Sequence, residues 1–311
     1  TTQLTSADTL AGGAGTDTLT LSTGTIDLDF TNVTGIEKLT MNDTGTYTLG
    51  ALAQAAGITT VTAGSNNVAY TLSATGYTVA LTIDASASTG NTDTFKTGTG
   101  DDILIVSTTT GLAAADIIAM GTGTDTIQLK NNAALTAVYD ADLHTGVEKI
   151  IATDANGAGT GSAETLALTI SADSATAANT LIVDFSAITD STDIVNLTNS
   201  AASTLTSFTI TGGAGVDSLP GSNAADTIDG GGGNDTIDAA SGNDIVTGGA
   251  GNDILTGGAG NDIVTGGAGN DALTMEAGTD NYDAGAGNDT IAATTQLTSA
   301  DTLAGGAGTD T

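Results

Sequence analysis

The chain has 311 residues and a formal net charge of −32, with 36 Asp and Glu against four lysines (Lys38, Lys96, Lys130 and Lys149) and no arginine. That balance excludes nucleic acid, whose phosphates need Lys and Arg contacts, and offers no basic patch to an anionic membrane surface. The absence of cysteine excludes disulfide staples, zinc ribbons and a catalytic thiol, and no apolar run is long enough for membrane insertion.

Residues 1–18, TTQLTSADTLAGGAGTDT, return letter for letter as residues 294–311. An identity at this spacing implies a 293-residue module repeated in tandem. Residues 1–20 are then expected to continue a preceding module, and residues 293–311 to open the next one. Asp8 and Asp17 hold the sixth places of QLTSADTLA and GGAGTDTLT, as Asp301 and Asp310 do in the second copy. Thr1 opens no signal-peptide pattern, so a secretion signal is expected outside this stretch.

Residues 21–87 form a Thr-rich segment of short alternating runs such as IDLDF, EKLTM, TYTL and TVALTID, separated by Gly, Asn or Ser turns. β-branched, period-two runs of this kind predict strands. Only LGALAQAAG at 49–57 has a helical period. Closely spaced strands without helices imply an all-β chain, as a parallel β-solenoid or with sandwich-like insertions. Residues 88–128 hold two pairs of nonapeptide-like units, with Asp93 and Asp102 in one pair and Asp116 and Asp125 in the other. Each pair is expected to close one coil, without neighbours to share a metal.

Residues 129–211 continue as solenoid-like strands. VTGIEKLTM at 33–41 and HTGVEKIIA at 144–152 are versions of one building block. Their Glu37–Lys38 and Glu148–Lys149 read as solvated pairs. The sole histidine, His144, reads as a surface or turn residue, and Tyr47, Tyr70, Tyr77 and Tyr139 read as packing residues.

Residues 212–292 are nine nonapeptides in unbroken register, among them GGGGNDTID, GGAGNDILT and GGAGNDIVT. Asp holds every sixth place: Asp217, Asp226, Asp235, Asp244, Asp253, Asp262, Asp271, Asp280 and Asp289. The six-residue GGxGND piece must reverse the chain, for which Gly supplies positive φ angles. The remaining three residues alternate polar, apolar, polar, as a strand with one inward side chain does. Two nonapeptides therefore close an 18-residue coil, and the Asp residues fall into columns of five and four. Strands stack about 4.8 Å apart, so stacked carboxylates repel without a cation. Carboxylates plus carbonyls of the loop glycines (Gly230, Gly231, Gly233; Gly248, Gly249, Gly251; Gly257, Gly258, Gly260; Gly266, Gly267, Gly269) suit Ca²⁺, which takes six to eight oxygens. The gaps between successive loops number four and three, giving up to seven sites.

This nonapeptide, G-G-x-G-x-D-x-U-x, resembles the RTX (haemolysin-type calcium-binding repeat) family. The Gly-Thr-Asp and Gly-Ile/Val-Glu pattern is similar to repeats in RTX adhesins and surface-layer proteins. The resemblance implies a calcium-loaded β-roll and export through a one-step channel as an unfolded chain that folds outside the cell.

No nucleophile elbow, phosphate loop or HExxH motif occurs, so no catalytic residue and no enzyme activity are expected. The Thr-x-Thr ranks are too irregular for a flat ice-binding or sugar-stacking face. The expected function is a structural module of a calcium-stiffened bacterial surface fibre, adhesin or matrix filament. A surface-layer lattice protein, or the RTX part of a secreted polysaccharide-acting enzyme or toxin, is the alternative. Expected partners are identical modules, further copies of the chain and surface polysaccharide. If the whole period were solenoid, its axial repeat would be roughly 70 Å.

Overall fold

The computed structural model describes residues 8–21, 26–27, 30–42, 45–64, 69–88, 92–107, 112, 115–131, 135–140, 144–154, 164–171, 180–199, 207–294 and 297–311. Residues 1–7, 89–91, 108–111 and 113–114 lie outside these, and with them the start of the first duplicated copy and parts of the 88–128 units. The chain divides into two compact units, Thr1–Lys130 with Tyr139–Lys149, and Asn131–Val138 with Ile150–Thr311.

In the first unit two stacks of short strands alternate along the chain. One runs Thr18–Leu21, Lys38–Met41, Thr60–Ala63, Thr82–Asp84, Ile103–Ser107 and Thr126–Asn131. The other runs Ile26–Asp27, Gly45–Thr48, Tyr70–Ser73, Thr94–Lys96, Ile117–Ala119 and His144–Thr145. Every register is parallel, with Thr18 opposite Lys38, Lys38 opposite Thr60 and Ile103 opposite Thr126. A parallel strand cannot be reached by a tight hairpin, so the chain must circle once before it pairs with itself. The result is a parallel β-solenoid, and the sandwich alternative is absent among the described residues.

Period-two alternation turns one side chain of each pair inward. Leu39, Val61, Ile83, Leu104 and Ile127 line one wall, each fully buried, and Tyr47, Leu72, Phe95 and Ile118 line the other. The one helix among the described residues, Ala51–Ala56, lies within the 49–57 window with a helical period. It buries Ala53 and Ala56 and stops at Gly57, whose φ of 104° suits glycine alone.

The second unit has the same plan. One stack passes from Lys149–Asp154 through Leu181–Asp184 and Phe208–Thr211 into Thr227–Gly232, Ile245–Ala250, Ile263–Ala268, Asn281–Ala286 and Thr302–Ala304. The other ends in Ser218–Pro220, Thr236–Asp238, Ile254–Thr256, Ala272–Met275 and Thr290–Ala293. Coil length contracts along it. Leu181 pairs with Phe208, whereas from Thr227 onward partners lie 18 residues apart, as Thr227 with Ile245 and Ile245 with Ile263.

This short coil is a β-roll with a core one side chain thick. The eighth-place residues Ile228, Ile237, Val246, Leu255, Val264, Leu273 and Tyr282 are at most 1% exposed. The seventh place faces outward, so Ile245, Ile254 and Ile263 are about half exposed. In the loops, Gly251 shows why the fourth place is glycine. Its φ is +138°, and a methyl group there would collide with the Gly233 carbonyl one coil back.

The described part of the second copy extends the roll. Thr302–Ala304 pairs with Asn281–Asp283 at a step of 21 rather than 18, because residues 293–295 are inserted before the repeat resumes.

A thin core concentrates stability in few side chains. Leu104→Ala is expected to lower unfolding stability by about 2–5 kcal/mol, the range for deleting a buried leucine. Ile254→Thr, on the outer face, should stay within about 0.5 kcal/mol. Denaturant melts of the two variants beside the parent check both.

Candidate metal centre

In the roll every loop delivers its sixth-place Asp into the wall between coils. All nine, from Asp217 to Asp289, are buried, with 1–3% of their surface exposed. Each spends Oδ1 on the backbone N–H of the residue one coil back. Along one edge the Asp217 N–H donates to Asp235 at 2.8 Å, Asp235 to Asp253 at 2.8 Å, Asp253 to Asp271 at 2.9 Å and Asp271 to Asp289 at 2.8 Å. Along the other, Asp226 donates to Asp244 at 2.7 Å, Asp244 to Asp262 at 3.0 Å and Asp262 to Asp280 at 3.0 Å. The two columns of five and four thus form as an 18-residue coil requires.

Oδ2 is left over. In Asp235, Asp244, Asp253, Asp262, Asp271 and Asp289 it is buried and accepts no hydrogen bond. A buried carboxylate oxygen without a partner is costly, and a cation removes that cost. The loop leaves room for one. A methyl group at Gly248 would lie 2.5 Å from Asp253 Oδ2 and 2.6 Å from the Gly266 carbonyl, so the missing side chain keeps a cradle between oxygens of two coils. Gly230 stands likewise to Asp235 Oδ2 and the Gly248 carbonyl, 2.5 Å from each.

Gly231, Gly233, Gly249, Gly251, Gly258, Gly260, Gly267 and Gly269 occupy the second and fourth loop places, all with positive φ. Among the described residues no three His, Cys, Asp or Glu side chains converge. The donor set is therefore a stacked pair of carboxylates with loop carbonyls, a hard all-oxygen set that fits Ca²⁺ and lacks the nitrogen and sulfur ligands of zinc.

The electrostatics agree. Without metal, burial pushes Asp235 up to about 7; the Asp217 N–H opposes it, and the Asp217, Asp253 and Asp229 carboxylates reinforce it. Asp244 rises to about 7, mainly by burial, against the Asp226 N–H and with the Asp226 and Asp262 carboxylates. Asp253 and Asp217 rise to about 6, again through burial first. Asp226, Asp262, Asp271 and Asp280 shift upward for the same leading reason.

The first unit carries a related ladder. The Asp93 N–H donates to Asp116 at 2.9 Å and the Asp102 N–H to Asp125 at 2.7 Å, each 23 residues on. The two pairs in 88–128, expected as isolated coils, therefore stack on each other. Glu148 Oε2 closes this column by accepting the Asp125 N–H at 2.8 Å, and Glu37 Oε2 does the same for Asp17 at 2.8 Å. These glutamates are rungs of the ladder rather than solvated partners of Lys38 and Lys149. Only their recurrence after Gly-Ile or Gly-Val signalled it.

The remaining candidates sit at the ends. Asp310 and Asp301 accept the Asp289 and Asp280 N–H groups at 3.1 and 3.2 Å, Asp17 is half-buried, and Asp8 is exposed. The fifth-place asparagines went unnoticed in the sequence. Asn252, Asn270 and Asn288 donate their backbone N–H to the Asn Oδ1 one coil back, at 2.6–2.7 Å. His144, expected at the surface, is fully buried, its ring 5.3 Å from that of Tyr139.

A carboxyl with a raised folded value holds its proton more tightly folded than unfolded, where the value is about 3.9. In chelator the roll is therefore expected to be most stable below about pH 4, to lose stability as pH rises to about 7, and to be weakest above that. Calcium should abolish the decline. Melting temperatures between pH 4 and 8, in chelator and in calcium, check the sign.

Comparison with known families agrees with this geometry. The RTX calcium-binding nonapeptide repeat (4 copies) matches residues 4–25, 211–246, 238–273, 276–293 and 298–311. No curated protein and no solved structure matches the chain. RTX repeats are typical of secreted bacterial proteins, and no helix among the described residues is long and apolar enough to cross a membrane. The stacked carboxylates, the glycine cradles and the family match lead to one conclusion: the β-roll of this chain is built of RTX nonapeptide repeats and binds calcium.

Proposed function

We propose that the chain is a non-catalytic structural module of an extracellular bacterial fibre or adhesin, built from tandem copies and stiffened by calcium. The observation that carries this reading is the junction. Thr302–Ala304, in the repeated segment, pairs in register with Asn281–Asp283, and Asp301 and Asp310 supply the next rungs of both columns. The described start of the second copy thus joins the hydrogen-bond ladder of the roll before it, which supports a continuous axis through the junction. A toxin or hydrolase gains nothing from copying its whole non-catalytic part, whereas a stalk gains length. Identical modules are the natural partners of such a surface, and the acidic composition suits a calcium-rich exterior.

Ligand that binds only the folded state stabilises it, and here it also removes stacked unpaired charge. Circular dichroism of the chain is expected to show strong β signal in millimolar calcium and a marked loss in chelator at pH 8. A chain equally β-rich in both would sink the calcium-stiffening reading. Electron micrographs of the tandem protein in calcium should show extended fibres with one fixed repeat; compact particles, or beads on flexible tethers, would argue against the stalk.

A further inference from the structure

The roll has two edges, and the first place of each nonapeptide tells them apart. On the edge of Asp217, Asp235, Asp253, Asp271 and Asp289 that place is Gly212, Gly230, Gly248, Gly266 and Ala284. On the edge of Asp226, Asp244, Asp262 and Asp280 it is Gly221, Ala239, Gly257 and Met275.

The first place matters because it faces Oδ2. Three loops on the first edge combine a glycine there with a buried, unpartnered Oδ2. They are Gly230 with Asp235, Gly248 with Asp253 and Gly266 with Asp271, each glycine also facing the first-place carbonyl of the next coil. Asp217 and Asp289 stand apart: the Asp217 Oδ2 accepts the Gly213 N–H at 2.7 Å, and the buried Ala284 fills the first place of the Asp289 loop.

Each loop on the second edge is obstructed in its own way. Asp226 is occupied by Ser222, whose N–H donates to Oδ2 at 2.6 Å and whose hydroxyl donates to Oδ1 at 3.0 Å. Asp244 has the buried Ala239 in the first place of its loop, and Asp280 has the buried Met275. At Asp262 the obstruction comes from the core. Tyr282 is the only aromatic residue among the eighth places, and its ring is long enough to carry the hydroxyl out to the loop. There the phenol accepts the Gly257 N–H at 3.2 Å and donates to the Thr274 carbonyl at 2.9 Å. It stands in the space beside Gly257 that remains open at Gly230 and Gly248.

We propose that the two edges of the roll divide the work. The edge of Asp235, Asp253 and Asp271 holds calcium in three open cradles. The opposite edge is closed by Ser222, Ala239, Tyr282 and Met275. This rests on the calcium-binding reading above and refines it. A methyl group and a thioether chain bring no hard oxygen, and Ca²⁺ needs six to eight. The Tyr282 hydroxyl has already committed its proton and one lone pair. It therefore bridges the loop and the strand as an uncharged pin where the other edge takes a cation.

The test uses the full chain. Hydrogen–deuterium exchange in calcium and in chelator is expected to show protection gained in residues 230–235, 248–253 and 266–271. Residues 239–244 and 257–262 should gain clearly less. Bound calcium, counted by atomic emission after equilibrium dialysis, should fall by at least one ion per chain in Asp253→Asn and stay unchanged in Asp262→Asn. Equal gains in protection on both edges, or equal ion loss in the two variants, would overturn the division while leaving calcium binding intact. A chain that takes up no calcium at all would overturn both. The exchange measurement needs no variant, so a misfolded Asp253→Asn does not remove the test.

Discussion

Everything in the roll depends on burying one carboxylate in every nine residues. A buried ionised carboxylate is tolerable only if each oxygen finds a positive partner. The backbone supplies half of that requirement, because coils stacked one strand spacing apart bring an N–H of one coil to Oδ1 of the next. It supplies the second half only at Asp217 and Asp226, whose Oδ2 atoms accept the Gly213 and Ser222 N–H groups. Six Oδ2 atoms of the roll are left without a hydrogen bond, and at the open cradles of Asp235, Asp253 and Asp271 a divalent ion bound by oxygen resolves it. The excess of acid over base follows from the same fact: a chain that balanced these carboxylates with its own lysines would have no use for the ion.

The first unit shows the same ladder, and the Oδ2 atoms of Asp102 and Asp125 are likewise buried without a hydrogen bond. Its coils are longer, as the step from Asp102 to Asp125 shows, and first places are filled by residues such as Thr97 and Met120. The Thr97 hydroxyl donates to the Met120 carbonyl at 2.6 Å, in the part of the loop that a glycine leaves open in the roll. Glutamate replaces aspartate at the last rungs, Glu37 and Glu148.

Much of this was legible in the residues. The nonapeptide period gave the 18-residue coil, the two columns of Asp and the inward eighth place, because a two-residue alternation and a glycine loop leave few other arrangements. The choice between solenoid and sandwich was not legible. Runs such as TYTL and TVALTID alternate in the same way whether their neighbours are parallel or antiparallel, and only the register decides. Stacking of the two unit pairs in 88–128 was hidden by their 23-residue step, which no longer shows as a repeat of nines. Glu37 and Glu148 were misread because a glutamate beside a lysine on a strand usually faces water. His144 was misread because polarity alone does not reveal that a strand turns that side chain into the wall. Tyr282 was recognised as an inward residue, but that its hydroxyl would reach back 25 residues to the Gly257 loop depends on the width of the core, which no local pattern records.

The direction of the Asp bonds gives the ladder a polarity. Asp253 closes the coil of Asp235, and Asp271 closes that of Asp253, so in the Asp ladder each N–H is met by a carboxylate of the coil that follows, whereas the Asn ladder runs the opposite way. An array of such coils cannot finish itself: its last turn always exposes a peptide N–H waiting for a carboxylate. The chain answers this with Glu148 after Asp125 and with Asp310 and Asp301 after Asp289 and Asp280. A cap of this kind is a single acidic residue at the right step, so one carboxylate serves equally to close the ladder or to lengthen it by another coil.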